Sequence, residues 1–221
     1  MIKDIFDSKN YTHLKEEFVT IGGIRQGHKF FSHKNDIALG LSLDGFCPFK
    51  RQNQTCWPII LFNYNLPPEI QFLLWFILCV GVILGPHKPK DLDSYAYPLI
   101  MELLKFLSGI ATFDIEQDKM FQLHACLIAV FGDKPAIAMI MWMKGHNTIF
   151  PCCMCMIKGV QILETRNTTH YVPLNHANHP IILENEDNLE IPIYNPANLP
   201  LQTHQQFLER ARHVQLTPTS A

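Results

Sequence analysis

Two aspartates, each at the end of an apolar run, are the strongest candidates for chemistry in this 221-residue sequence. Asp44 follows a run that begins at Ile37, and Asp133 follows one that begins at Ala125. If both runs are strands and neighbours in one sheet, their ends bring the two carboxylates together. Such a pair suits a hard divalent cation, and paired cations activate a water or hydroxyl for in-line attack on phosphate. A purely structural interpretation is also open, in which Asp44 belongs to a turn and Asp133 caps a helix.

The second candidate is a cysteine cluster. Cys152 and Cys155 have the Cys-x-x-Cys spacing with which two thiolates on a tight loop bind one Zn²⁺. A complete site needs two more ligands, and His170, fifteen residues after Cys155, is the best-placed third ligand. His146 and His176 are the alternatives for the fourth position. The other interpretation is a set of thiols that binds no metal.

The elements that must position these residues begin with three apolar runs in close succession. They cover residues 37–43, 57–62 and 72–84, and short turns between them predict an antiparallel meander of three strands. The third run is predicted to be a buried strand. A membrane helix is the alternative, but its 13 residues fall short of the roughly 18–20 that a bilayer requires, so we expect no membrane association.

Helical periodicity follows. An apolar stripe over residues 96–107 predicts a helix that ends at Gly109 and starts late because of Pro98. The run over 125–131 does not alternate, which predicts a strand covered on both faces. A further helix is predicted over 136–144. The predicted fold class is therefore α/β, in the order three strands, helix, buried strand, helix.

Three segments are predicted along the chain. Residues 1–35 carry few signals, residues 36–159 hold the elements described above, and residues 160–221 form an irregular extension rich in Pro, Asn and His. Within this extension, Thr203 and Gln206 have the spacing of a capping box, which predicts a short terminal helix.

Composition excludes several classes of protein. Hydrophobic residues make up 48% and charged residues 17% of the chain, which is typical of a packed globular protein. The 18 Lys and Arg against 20 Asp and Glu give a net charge of −2, which excludes a strongly basic, self-sufficient nucleic-acid binder. Seven cysteines, an odd number, and a polar start after Met1 indicate that the protein is not secreted.

A series of short motifs adds a family resemblance. In chain order they are Leu41-Ser42-Leu43-Asp44-Gly45-Phe46, Pro48-Phe49, Cys56-Trp57-Pro58-Ile59-Ile60, Tyr64-Asn65-Leu66-Pro67-Pro68, Gly85-Pro86-x-Lys88-Pro89-Lys90-Asp91-Leu92-Asp93, Gly132-Asp133-x-Pro135-Ala136 and Cys152-x-x-Cys155-Met156. In this order the chain resembles the transposases of CACTA-type (En/Spm) DNA transposons, from about Ile37 to about His204.

The resemblance implies an RNase H-like catalytic core with a DDE-type triad of acids. Asp44 matches the first acid of the family and Asp133 the second. Both would ligate Mg²⁺ or Mn²⁺ while a water, and later a freed 3′-hydroxyl, attacks phosphodiester bonds at the transposon ends. The resemblance also implies DNA as the partner and a nuclear location, and a homo-oligomer is a further expectation.

The sequence departs from the family pattern at the third acid, which in the family lies on a helix beyond the segment that here ends at His204. The acids downstream of Asp133, none of them in a matching context, are Glu164, Glu184, Glu186, Asp187, Glu190 and Glu209. We therefore expect a truncated transposase core that is inactive alone. The alternative is a non-catalytic, zinc-stabilised interaction module derived from a transposon.

Overall fold

The computed structural model describes residues 4–49, 54–86, 89–143, 148–161, 169–170 and 194–216. The chain forms two compact units, Met1–Gly132 and Asp133–Ala221. The described residues are mixed α/β, with four α-helices and a four-stranded mixed sheet. The three segments expected from sequence, divided at 35/36 and 159/160, stay a prediction.

The first unit alternates strands with two helices over its described residues. Its elements are α1 Lys9–Glu16, β1 Phe18–Ile21, β2 Ile24–Lys29, β3 Ile37–Leu43, β4 Thr55–Asn63, β5 Leu78–Gly85, α2 Leu92–Ser108, β6 Ile110–Asp114, β7 Lys119–Leu123 and β8 Ala125–Phe131, with short 3₁₀ helices at Ile5–Asp7 and Leu74–Phe76.

The central sheet has the strand order β5-β4-β3-β8. β3, β4 and β5 are antiparallel neighbours, so the predicted meander is confirmed. β8 is parallel to β3, with the crossover through α2 that a parallel pair requires. The fourth strand of the prediction is β8, and its observed bounds, Ala125–Phe131, are the predicted ones. Two hairpins, β1–β2 and β6–β7, lie outside this sheet and were not predicted.

One core cluster joins the sheet to both helices of this unit. Phe31, Ala38, Tyr64 and Cys126 are buried together, and side chains of α1 and α2 pack against them. α1 contributes Tyr11 and Leu14, and α2 contributes Leu107. The inner strand β3 is consequently covered on both faces, since its residues 38–41 are buried in succession.

The helix α2 begins earlier than predicted. The Asp91 carboxylate accepts the Ser94 N–H at 3.2 Å and so caps a helix that starts at Leu92, with Pro98 in its interior. Pro98 lies on the exposed side, where water can satisfy the carbonyl that proline leaves without an N–H partner. The helix ends as predicted at Gly109, whose φ of +100° favours glycine.

Two expectations of burial were wrong. The run 72–84 is not one buried strand, because a 3₁₀ turn at Leu74–Phe76 precedes β5, and most of β5 is exposed. The expectation that β8 is covered on both faces holds only for its beginning. Its first two residues are buried, whereas Val130 and Phe131 at its end are exposed.

The second unit contains α3 Lys134–Ile140, β9 Val160–Gln161, β10 Thr169–His170 and α4 His204–Leu216 among its described residues. α3 is shorter than predicted, since the chain leaves the helix at Met141 and Trp142 has a φ of +53°. The capping box is confirmed: the Thr203 N–H donates to Gln206 Oε1 at 3.0 Å, and the Gln206 N–H donates to Thr203 Oγ1 at 3.2 Å. No helix in the described part of the chain combines the length and apolarity that crossing a bilayer demands.

Candidate functional site

Asp44 lies one residue beyond β3, on a backbone that its neighbours hold firmly. Gly45 packs directly against the Trp57 indole, and a β-carbon at this position would overlap the ring. The next residue, Phe46, exchanges two backbone hydrogen bonds with Cys56, at 3.0 and 2.8 Å. The Asp44 side chain itself is exposed and makes no hydrogen bond to any described residue. A fixed backbone thus presents to solvent a carboxylate that no described residue binds.

Asp133 is the N-cap of α3. Its Oδ1 accepts the Ala136 N–H at 2.7 Å. Pro135 lies in the first turn of the helix, as predicted from the sequence. The capping interpretation of Asp133 is therefore observed. Capping uses one carboxylate oxygen, and the side chain is exposed, so a cap and a cation ligand are compatible roles for this residue.

The register of the parallel pair β3–β8 relates the two strand ends within the first unit. Ser42 of β3 is the partner of Phe131 of β8. Asp44 and Asp133 each follow two residues after this pair. The condition set from the sequence, that the two strands are neighbours in one sheet, is met by this parallel pair, and the metal role of the two acids stays a prediction.

A buried polar cluster that sequence analysis missed holds the opposite ends of the same strands. The Asp36 carboxylate, only 1% exposed, accepts from His124 Nδ1 at 3.1 Å and from the His33 N–H at 2.8 Å. The Ile37 N–H donates to the His124 carbonyl at 2.8 Å. The His28 ring stacks on His124 with centroids 4.0 Å apart. The available signal was the position of Asp36 and His124, each of which stands directly before an apolar run that forms a strand.

Asn65 adds a clamp to the start of β3. Its Oδ1 accepts the Ala38 N–H at 2.8 Å, and its Nδ2 donates to the Asp36 carbonyl at 2.9 Å. One side chain thereby satisfies two backbone groups and fixes where β3 begins. The cluster and Asn65 together fix the beginnings of β3 and β8, the two strands whose other ends lead to Asp44 and Asp133.

The cysteine cluster forms a tight loop in the second unit. The Met154 N–H donates to Cys152 Sγ at 3.4 Å. The loop pairs with the segment before α4, since the Met156 N–H donates to the Pro200 carbonyl at 2.7 Å and the Gln202 N–H donates to the Met154 carbonyl at 2.9 Å. Cys155, 4% exposed, lies at the centre of this pairing, so the loop is held from both sides.

The two thiols of the Cys-x-x-Cys pair, Cys152 and Cys155, differ in acidity. Burial acts to raise the pKa of Cys152, but hydrogen bonds from Met154 and Cys155, together with the charge of Lys134, outweigh it and lower that pKa. Burial and the neighbouring Cys152 raise the pKa of Cys155. N–H groups directed at a sulfur stabilise the thiolate, which is the form that binds a metal.

The remaining zinc ligands are not assembled in the described residues, which contain no group of three His, Cys, Asp or Glu side chains able to hold a metal ion. The backbone of His170 pairs with Val160 in the β9–β10 hairpin. His146 and His176 lie outside the described residues. The prediction of a zinc site therefore stays a prediction.

Comparison with known protein families places most of the chain in one family model. The family described as "Transposase family tnp2" matches residues 22–189, more than half of the chain. This range includes both aspartates, the cysteine cluster and the whole four-stranded sheet. No curated protein and no solved structure matches the chain.

Proposed function

The chain belongs to the transposase family tnp2, and from this premise we propose that it carries part of an RNase H-like, DDE-type catalytic core. Asp44 and Asp133 are its first two acids, Mg²⁺ or Mn²⁺ is its cofactor and transposon-end DNA is its substrate. The finer relationship to CACTA-type (En/Spm) transposases and the nuclear location are part of the same proposal.

One observation carries the proposal. β3 and β8 are parallel neighbours, and each leads within two residues into an aspartate. The order of elements, an antiparallel meander followed by a helix and a parallel fourth strand, agrees with the order expected of an RNase H-like core. An ordinary turn or cap would explain either acid alone, but it gives no reason for both to follow adjacent parallel strands.

The donor atoms fit a hard cation. The Asp44 carboxylate is exposed with no hydrogen bond to a described residue, and capping by Asp133 occupies only its Oδ1. Carboxylate oxygens are the ligands that Mg²⁺ prefers. When bound, such a cation stabilises the charge that develops on phosphate oxygens and acidifies an attacking water. The part played by this chain is to hold two oxygen ligands on fixed backbones.

We expect the 221-residue chain alone to cleave no DNA, because two acids leave the metal under-coordinated. Expected partners are transposon-end DNA and further copies of this chain. The net charge of −2 agrees with this view, since charge alone gives the chain little affinity for a phosphate backbone.

Mn²⁺ binding and plasmid nicking test this proposal together. Asp44→Asn and Asp133→Asn should each weaken Mn²⁺ binding by at least about tenfold, since each removes a charged ligand. Asparagine caps a helix as well as aspartate does, so Asp133→Asn preserves α3. Glu102→Gln, at an exposed acid on α2, is the matched control. Equal Mn²⁺ affinity in all four proteins would refute the site, and metal-dependent nicking that Asp44→Asn abolishes would refute the expected inactivity.

A second function, a zinc-stabilised interaction module, is favoured by the N–H-to-sulfur geometry at Cys152. We propose Cys152, Cys155 and His170 as ligands of one structural Zn²⁺. The purified chain should then contain one equivalent of zinc, which Cys152→Ser, Cys155→Ser and His170→Ala each remove. Cys47→Ser, at an exposed thiol in the first unit, should keep it. A zinc-free chain from zinc-supplemented expression would contradict this second function.

A further inference from the structure

Asp44 and the exposed ring of Phe46 belong to one face of the central sheet. The register of β3 against β4 continues unbroken past the end of β3, because Phe46 pairs with Cys56 in that same register. Successive residues of a strand point to opposite faces, so Asp44 and Phe46 share one face. Gly45 lies on the opposite face, against the Trp57 indole. A carboxylate and an aromatic ring, the latter 53% exposed, are therefore presented side by side.

A second exposed ring, that of Phe131, lies on this face as well. Phe131 is the partner of Ser42 in the parallel pair β3–β8, and partners on adjacent strands point to the same face. Ser42 precedes Asp44 by two residues, just as Phe46 follows it by two. Phe131 is 41% exposed. Asp44 thus has an exposed phenylalanine on either side, and we call Phe46 and Phe131 the phenylalanine pair.

Both members of the phenylalanine pair are held in place although their rings are exposed. Phe46 exchanges its backbone hydrogen bonds with Cys56 at 3.0 and 2.8 Å. The Phe131 ring contacts the rings of Phe62 and Tyr64, with centroids 6.5 and 6.4 Å away. An aromatic residue on a fixed backbone loses little further entropy when a flat ligand packs on it. The phenylalanine pair is therefore a preorganised apolar surface.

The charge on this face decides which partner fits it. The four strands of the sheet contain no Asp, Glu, Lys or Arg, so the Asp44 carboxylate stands next to an otherwise uncharged surface. An apolar protein surface that covered the rings would bury this carboxylate without a counterion, at a high cost in free energy. A nucleotide brings a flat base for the rings and a phosphate, and a cation at Asp44 compensates both negative charges. The face therefore fits DNA better than protein.

We propose that the phenylalanine pair stacks on unpaired bases of the DNA, next to the phosphate that faces Asp44. The bases of an intact duplex cover each other's faces, whereas an unpaired or extruded base exposes its face to an aromatic side chain. Stacking gives affinity that does not depend on positive charge, which suits a chain with a net charge of −2. The inference rests on the proposed function, because it takes DNA at Asp44 as the substrate. It adds the state of that DNA, a strand with unpaired bases at the reacting phosphate.

Fluorescence anisotropy of labelled DNA with the full chain, at low salt and with Mn²⁺, tests the inference. We expect a duplex with unpaired tails on both strands to bind at least about fivefold more tightly than a blunt duplex, since stacking of one base contributes a factor of about 5 to 150. Phe46→Leu and Phe131→Leu keep an apolar side chain but remove the ring, so each should lower the affinity for the tailed duplex by at least about fivefold. Phe46→Trp should keep it. The control is Phe113→Leu, at a 51% exposed ring of the β6–β7 hairpin, which should have no effect.

Equal affinities for tailed and blunt duplexes would overturn the inference, and so would a chain that binds neither DNA. A preference for the tailed duplex that both leucine variants retain, with folding verified by urea denaturation, would overturn it as well.

A Mn²⁺ titration of Asp44→Asn separates this inference from the proposed function. If Mn²⁺ binding requires Asp44 but tailed and blunt duplexes bind equally, base stacking is wrong and the metal site stands. If the leucine variants lose the preference for the tailed duplex while Asp44→Asn binds Mn²⁺ normally, the stacking surface stands and the metal site is wrong.

Discussion

The strands β3 and β5 have almost the same composition and opposite environments. β3 reads IALGLSL and β5 reads LCVGVILG, and each is uncharged with a glycine near its centre. β3 is buried on both faces between β4 and β8, whereas β5 forms the edge of the sheet and exposes most of its side chains. An apolar run therefore predicts a strand but does not reveal the position of that strand in the sheet.

Truncation of one leucine in each strand should give the largest contrast. Leu43 is 2% exposed at the end of β3, whereas Leu84 is 75% exposed in β5. Leu43→Ala should cost about 2–5 kcal/mol of unfolding free energy, since it opens a cavity. Leu84→Ala should cost less than about 0.5 kcal/mol in the monomer. Urea denaturation at low chain concentration measures both, and equal losses would contradict the contrast.

The two central glycines give the second contrast. A β-carbon at Gly40 would lie 2.8 Å from Tyr64 Cε2 and 2.9 Å from Phe131 Cε2, whereas one at Gly81 would meet Ile59 Cδ1 at 3.4 Å. Gly40→Ala should therefore destabilise the fold by about 1–3 kcal/mol through overpacking. Gly81→Ala should be close to neutral. Equal thermal unfolding midpoints for the two variants would contradict the tight packing of Tyr64 and Phe131 against Gly40 of β3.

The buried polar cluster around Asp36, at the start of β3 and β8, should contribute a similar or smaller unfolding free energy. Asp36→Asn keeps the shape of the side chain but replaces one oxygen that accepts from His124 or His33 by a donor. Loss of one buried hydrogen bond should cost about 1–3 kcal/mol. Asp114→Asn, at a half-buried acid that accepts from Asn35 and from two N–H groups of the turn that follows it, is the control. Equal urea midpoints for Asp36→Asn and Asp114→Asn would show that the buried polar cluster contributes no stability.

Local patterns predicted the elements better than their surroundings. The bounds of β3 and β8, the end of α2 at Gly109 and the capping box at Thr203 follow from short-range signals that the sequence carries directly. The hairpins β1–β2 and β6–β7 were missed because their residues are mostly polar or only half-buried, so apolar periodicity is weak there. The exposure of β5 depends on what lies beyond the edge, which no local pattern encodes.

The candidate site divides in the same way. Asp44 and Asp133 were found because each follows a strand signal, and the Cys-x-x-Cys spacing identified the cysteine loop. The contact between Asp36 and His124 joins residues 88 positions apart in the sequence. Such a contact becomes visible only when the parallel pairing of β3 and β8 is known, since that pairing brings the beginnings of both strands together.

The smallest predicted effect concerns the thiol of Cys126, the second residue of β8. Burial, followed by the negative charge of Asp36, raises its pKa from 9.0 to about 12. The folded state thus favours the neutral thiol, and its contribution to stability is complete below pH 9 and is lost as the pH rises toward 12. Between about pH 8 and pH 10, the unfolding free energy should fall by about 1 kcal/mol from this group. Cys126→Ser should remove this fall from the dependence of the unfolding free energy on pH, as measured by urea denaturation. Cys79→Ser, at an exposed thiol of β5, is the control and should keep it. The same pH dependence in both variants would contradict the burial of Cys126.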